Sequence, residues 1–195
     1  MSSGLVLADR RVLTDLVPGA LVRDLTIVAA GAVVTGLSAQ VSVSIEPLSP
    51  VPLTGQTLAV VLVAAAAGPV RAFASMALYL LVGVLGVPWF AEGASGSSMV
   101  SLGYVIGFLL AGVVVGELAR RGGDRTPWRT ALTMAAGNIA IYAVGVSYLA
   151  VAAHLTPAEA LSKGLVPFLV GDALKIAIAA ALLPATWALV RRFRA

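Results

Sequence analysis

The stretch from Val166 to Pro184, VPFLVGDALKIAIAAALLP, places an acid and a base inside a segment that is otherwise apolar. The apolar character continues to about residue 190, which is long enough for a helix to cross a bilayer. Asp172 and Lys175 lie three residues apart, so they share one face of such a helix. Each would cost roughly 2.5–3.5 kcal/mol if it faced lipid. We therefore expect both to face the interior of a bundle or a cavity.

The composition of the whole chain supports a membrane protein. Of 195 residues, 59% are hydrophobic and 11% are charged, against roughly 25% charged residues in a soluble domain. There is no cysteine, which excludes disulfides and thiolate chemistry. The net charge of +4 comes from basic residues at the ends of apolar segments. They indicate topology in a lipid bilayer, and we expect no nucleic-acid partner.

The number of spans follows from the placement of the basic residues. Apolar segments lie at roughly 22–41, 54–68, 70–87, 100–119, 129–153 and 165–190. If all six cross the membrane, the eleven arginines fall on one side, Lys163 falls on the other, and Lys175 lies within the membrane. This asymmetry predicts an all-α integral membrane protein with six transmembrane helices and both termini in the cytoplasm. Residues 1–24 are predicted to be a cytoplasmic lead-in, and residues 25–195 to form a single transmembrane domain.

The charged pair has two interpretations. It is either a neutralised structural pair or part of a polar binding site, and ionisable residues within a membrane are functional by default. A carboxylate accepts hydrogen bonds and an ammonium donates them, so the pair suits a ligand that offers both N–H and C=O groups.

Other polar residues could converge on this pair from different helices. The candidates are Gln56 at the start of the second segment, Tyr104 at the start of the fourth, and Asn138 and Tyr142 on the fifth. Each also has an ordinary explanation, because tyrosines form interfacial belts and an asparagine bonds neighbouring helices.

Several enzyme classes lack their motifs in this chain. The sequence has no GxxxxGK[ST] phosphate loop, no HExxH or GxSxG, and no cluster of His, Asp and Glu at metal-binding spacing. We therefore expect no enzymatic activity, no metal and no cofactor. Many secondary carriers are built from inverted repeats that together contain more than six transmembrane helices. The six helices predicted here are too few for that architecture. A binding subunit or a small channel remains.

Six ordered stretches resemble the BioY family of biotin transporters, which are substrate-binding (S) components of energy-coupling factor (ECF) transporters. The stretches are AQVSVSI, PVPLTGQTLAV, LYLLVGVLGVPWFAEG, GYVIGFLLAG, GNIAIYAVG and VPFLVGDALK. The resemblance covers about residues 32–183 and implies a six-helix S component in the bacterial cell membrane. It further implies biotin as the ligand, and a transmembrane coupling protein with two ATPase subunits as partners.

The resemblance also implies roles for single residues. Asp172 and Lys175 match the ligand-contacting pair of the last helix, Tyr104 matches the tyrosine of the fourth, and Gln56 matches the glutamine of the first outer loop. The approach to the fourth helix reads SSMVSLGY, where the family has a Gly-Pro-Thr-Gly-Gly-Tyr-like sequence.

Two further predictions concern a lid and a docking surface. Trp89 and Phe90 are expected to close over the apolar body of the ligand. On the first helix, Ala29, Ala32 and Gly36, followed by Ala39, lie on one face and would allow close approach of the coupling protein. The alternative for that face is packing inside the bundle.

Three other functions stay open at this point. They are an S component for another vitamin, a proton-coupled carrier or channel that uses Asp172 as a relay, and a structural membrane protein. The sequence also leaves open whether the chain forms a homo-oligomer.

Overall fold

The computed structural model describes residues 12–16 and 21–193, and most of them lie in helices. The helices are α1 (Leu21–Ala39), α2 (Gln56–Ala67), α3 (Pro69–Val84), α4 (Leu102–Arg120), α5 (Pro127–Ala152), α6 (Pro157–Gly164) and α7 (Leu169–Arg192). Short 3-10 turns lie at Leu13–Leu16, Ala91–Gly93 and Val166–Phe168. Two short strands, β1 (Ser42–Val43) and β2 (Leu53–Thr54), pair antiparallel, with Ser42 opposite Thr54.

Six of the seven helices are apolar, and α6 is a short connector. By length and hydropathy, α1, α4, α5 and the segment Pro157–Arg192 that contains α7 could each cross a membrane, among the residues described. Helices α2 and α3 have 12 and 16 residues, or about 18 and 24 Å at 1.5 Å per residue. The hydrocarbon core of a bilayer is about 30 Å thick. The result is a multi-pass bundle in which α2 covers only part of the membrane.

The short α2 is bounded by specific local structure at both ends. The hairpin leads the chain from α1 into α2, and the Gly55 N–H donates to the carbonyl of Val41 at 2.9 Å. At the other end Gly68 has φ +80°, a conformation that glycine adopts readily, and Pro69 begins α3. These boundaries place Gln56, the first residue of α2, inside the bundle.

One end of the bundle, which we call the basic end, carries the arginines among the described residues. Here Arg71 at the start of α3 forms ion pairs with Asp24 on α1 at 3.0 Å and with Asp15 of the lead-in at 2.8 Å. The indole N–H of Trp187 near the end of α7 donates to the buried carboxylate of Asp124 between α4 and α5, at 2.6 Å. Of the predicted lead-in 1–24, residues 1–11 and 17–20 lie outside the described residues.

The helices approach closely where small residues face each other. A Cβ added to Gly107 of α4 would lie 2.8 Å from the carbonyl oxygen of Ile141 on α5. One added to Gly116 would lie 2.5 Å from the nitrogen of Pro69. The glycines of α4 therefore let it pack against α5 on one side and the α2–α3 turn on the other.

The predicted docking face of α1 requires a correction. Ala32, Gly36 and Ala39 are buried within the bundle, and only Ala29 of the set is exposed. A Cβ on Gly36 would lie 3.0 Å from Cε3 of Trp89, so the small residue admits that indole ring. The spacing does place these residues on one face, but that face packs internally. They are not accessible to a partner in this conformation.

Candidate functional site

A cavity lies at the end of the bundle opposite the basic end. The first turns of α2, α4 and α7 and the second half of α5 surround it, and three loop segments complete the wall. The lining residues are Val51, Pro52, Thr54, Gln56, Thr57, Phe90, Ala91, Met99, Ser101, Tyr104, Val105, Phe108, Ile141, Tyr142, Phe168, Asp172 and Lys175.

Asp172 and Lys175 form the charged part of the wall. Asp172 is only 4% exposed and lies in the first turn of α7, where the helix dipole favours a negative charge. Its Oδ2 accepts a hydrogen bond from the hydroxyl of Tyr142 on α5. The Lys175 Nζ lies 3.7 Å from Oδ1 of Asp172 and donates to Oγ1 of Thr57 on α2 at 2.7 Å. The pair thus joins α2, α5 and α7 around one polar corner.

Tyr104 contributes its ring to the cavity and its hydroxyl to the fold. The hydroxyl donates to the carbonyl of Gly164 at 2.7 Å, which holds the end of α6 against the start of α4. The ring lies edge-on to Tyr142, with centroids 6.3 Å apart, and tilted against Phe168. This residue therefore forms part of an aromatic wall beside the polar corner.

Gln56 and Phe90 of the cavity wall both contact the buried side chain of Tyr79. The Nε2 of Gln56 donates to the Tyr79 hydroxyl at 2.7 Å. The Phe90 ring packs edge-on against Tyr79, with centroids 5.3 Å apart, and is 1% exposed. One polar and one apolar lining group are thus supported by the same side chain.

Two of the predicted site residues do not reach the cavity wall. The Trp89 indole packs between Gly36 and Tyr79, and its N–H donates to the Tyr79 carbonyl at 3.0 Å. Asn138 lies one turn closer to the basic end than Tyr142 and is half-buried. The structure brings together Gln56, Phe90, Tyr104, Tyr142, Asp172 and Lys175.

Several lining residues were not anticipated from the sequence. Thr57, which accepts from Lys175, directly follows Gln56, and Phe168 lies within the VPFLVGDALK stretch, so a local signal existed for both. Met99, Phe108 and Ile141 have no such signal among many apolar residues. Apart from the polar corner and Gln56, the cavity wall is largely apolar, and it suits a small amphiphilic ligand. Within the described ranges, no group of three His, Cys, Asp or Glu could hold a metal.

The comparisons with known proteins agree on one family. The chain is 35% identical over 157 residues to a probable biotin transporter BioY from Pyrococcus horikoshii, covering 80% of this chain and 91% of that protein. It is 36% identical over 137 residues to the biotin transporter BioY from Thermotoga maritima, covering 69% and 79%. Both relatives are named as transporters, in line with the expectation that this chain is not an enzyme.

The fold agrees with these sequence relatives. The crystal structure of the S-component for biotin from an ECF-type ABC transporter matches with a TM-score of 0.75 and 19% identity, over 86% of this chain and 92% of that one. The predicted S-component bundle is therefore confirmed as a fold. The model of the BioY family matches residues 9–192, which include every helix described above. From the match along its length and from its relatives, we conclude that this chain belongs to the BioY family.

Proposed function

We propose that the chain is a membrane-embedded biotin-binding subunit that mediates biotin uptake as the S component of an ECF transporter. The observation that carries the proposal is the polar corner formed by Asp172, Lys175, Tyr142 and Thr57 in the wall of a largely apolar cavity. The family and the fold support the same function.

Biotin matches this distribution of groups. Its cyclic urea offers two N–H donors and one carbonyl acceptor, and the fused ring and valeryl chain are largely apolar. Asp172 can accept from a urea N–H, and Lys175 can donate to the urea carbonyl. The apolar walls around Phe108 and Phe168 can then cover the fused ring. The ligand carboxylate would lie toward the loop that carries Ser101.

Equilibrium binding of radiolabelled biotin to the purified protein tests the ligand. We expect saturable binding with one site per chain, which unlabelled biotin displaces and thiamine or riboflavin does not. Displacement by one of those vitamins alone would identify an S component for a different ligand. Absence of binding by the folded protein, checked by gel filtration, would overturn the proposal.

The source of energy needs a separate test, because this sequence has no phosphate-binding loop for ATP. We propose that an ECF coupling protein and two ATPase subunits drive uptake. Proteoliposomes containing all four chains should accumulate biotin only with ATP, and a variant of the ATPases that cannot hydrolyse ATP serves as the control. Uptake by the lone chain that follows a pH gradient would instead indicate the proton-coupled carrier.

We also propose a location in the bacterial cell membrane with the basic end in the cytoplasm, which the clustering of arginines supports. The chain has no cysteine, so single cysteines can be introduced without background. In intact cells, an impermeant maleimide should label Ser97→Cys, in the exposed loop at the cavity end, and not Arg121→Cys at the basic end. The opposite labelling pattern would reverse the proposed topology.

A further inference from the structure

A chain of hydrogen bonds runs from the cavity to the end of α1. It begins at Gln56 in the cavity wall, whose Nε2 donates to the hydroxyl of Tyr79 at 2.7 Å. The Tyr79 hydroxyl lies 3.3 Å from the carbonyl oxygen of Trp89. The same carbonyl accepts from Nε2 of Gln40, next to the last residue of α1, at 3.1 Å.

The chemistry of Tyr79 decides how the Gln56 amide is oriented. A hydroxyl has one proton, and the carbonyl of Trp89 can only accept, so the contact between them is a hydrogen bond only when Tyr79 donates its proton to that carbonyl. The hydroxyl oxygen must then accept from Gln56, which requires the NH₂ group of the amide to face Tyr79. The amide carbonyl Oε1 is left for the cavity. Among the residues that the structure describes, no hydrogen-bond donor to this oxygen is present.

Gln40 holds the loop that carries Phe90. Besides the Trp89 carbonyl, its Nε2 lies 3.2 Å from the carbonyl oxygen of Phe90 and 3.1 Å from that of Gly36, one turn back on α1. Two consecutive carbonyls of the loop are thus tied to the end of one helix. The Phe90 ring is seated over Gly83, where a Cβ would overlap it. The position of this part of the cavity wall therefore depends on Gln40.

We propose that Tyr79 and Gln40 are positioning residues for the ligand. Neither lines the cavity, but Tyr79 fixes Gln56 as a hydrogen-bond acceptor, and Gln40 fixes the backbone that carries Phe90. The site then offers a second acceptor besides Asp172, which favours a ligand with two N–H donors. A cyclic urea has this chemistry. The inference rests on the proposed function, because biotin is the probe that measures it.

A double-mutant cycle between Tyr79 and Gln56 tests the first half. We expect Tyr79→Phe to weaken biotin binding by on the order of tenfold, since it frees the amide to turn. In a Gln56→Met background the same change should alter the affinity less than twofold. Tyr148→Phe is the matched control, because within the described part of the chain its hydroxyl has no hydrogen-bond partner.

The outcomes of this cycle separate the positioning role from a structural one. Equal losses of affinity with and without the Gln56 amide would overturn the proposal, as would unchanged affinity in Tyr79→Phe. The melting temperatures of the same four proteins without ligand give an independent measure, and additive effects there would show that the two side chains do not interact. If the wild-type protein binds no biotin but the effects of the two substitutions on the melting temperature are not additive, biotin is not the ligand. The hydrogen bond between Tyr79 and Gln56 would still be supported.

Gln40→Leu tests the second half, because it keeps the size of the side chain and removes its donors. We expect biotin binding in the folded variant to weaken about tenfold. Thr26→Val is the control on the same helix, since among the described residues its hydroxyl bonds only the carbonyl of Val22. A Gln40→Leu protein that melts at a lower temperature but binds biotin with wild-type affinity would make Gln40 purely structural and overturn its positioning role.

Discussion

The hydroxyl of Tyr142 donates a hydrogen bond to the buried carboxylate of Asp172, and this contact joins α5 to α7 at the polar corner of the cavity. It occupies Oδ2 and leaves Oδ1, which lies 3.7 Å from Nζ of Lys175. That distance is too long for a hydrogen bond, although the charges attract. Both charged groups are therefore held in place and keep bonding capacity for a ligand.

The charged pair should be required for binding. Asp172→Asn or Lys175→Met leaves one buried charge without its partner, which costs about 3–5 kcal/mol. We expect the affinity of the folded variants for biotin to drop more than a hundredfold, as equilibrium binding can measure. Lys163→Met, at the same end but outside the cavity lining, should bind normally. Wild-type affinity in both pair variants would make the pair structural.

Removing the Tyr142 hydroxyl should weaken biotin binding less than removing either charge of the pair. Tyr142→Phe removes one hydrogen bond to an ionised carboxylate, and such bonds contribute about 1.5–3 kcal/mol. We expect biotin affinity to fall at least tenfold while the helices remain folded, as titration calorimetry can measure. In an Asp172→Asn background the change should have a smaller effect. Independent losses in the two backgrounds would contradict the role assigned to this contact.

Gly83 should tolerate no side chain because the ring of Phe90 lies against its Cα. Gly83→Ala should lower the free energy of unfolding by about 1–3 kcal/mol and weaken biotin binding, since Phe90 must move out of the cavity wall. Gly171→Ala is the matched control, because its added Cβ would meet only a methyl of Leu53 at 3.8 Å.

The assignment to Phe90 can be checked by a second substitution. Phe90→Leu should recover part of the stability lost in Gly83→Ala, because the smaller side chain relieves the overlap. Strictly additive melting temperatures would mean that the cost of Gly83→Ala arises elsewhere.

Asp124 at the basic end should give stability a specific pH dependence. Burial raises the pKa of its carboxyl, although the hydrogen bond from Trp187 and the charge of Arg125 act to lower that pKa. A carboxyl whose pKa is higher in the folded state stabilises most below its unfolded pKa of about 3.9, and this contribution is lost as pH rises through the folded pKa.

Asp124→Asn isolates this effect, because asparagine keeps the shape and does not titrate. The difference in melting temperature, wild type minus variant, should decrease as pH rises from about 4 and then become constant. Biotin binding should not change, since Asp124 lies at the opposite end from the cavity. A difference that increases with pH would show that Trp187 and Arg125 outweigh burial.

Much of the fold and part of the candidate site were predictable from local sequence. Apolar length and arginine placement predicted six apolar helices, because a bilayer imposes a minimum length and topology follows basic residues. Asp172 and Lys175 were found because charge is conspicuous in an apolar helix, and a spacing of three residues puts both on one face. The resemblance to the BioY family added Tyr104 and Gln56, which line the cavity.

Only the tertiary structure decided which side of each helix faces the bundle interior. The spacing of Ala32 and Gly36 places them on one face of α1 but does not say what that face meets, and it meets the ring of Trp89. Phe108 and Met99 could not be predicted as lining residues for a similar reason. Lipid and the bundle interior are both apolar and select the same side chains, so the sequence does not show which of the two a residue faces. The partners Thr57 and Tyr79 are contributed by other helices. Sequence periodicity orients residues within their own helix, whereas contacts between helices depend on how the helices pack together.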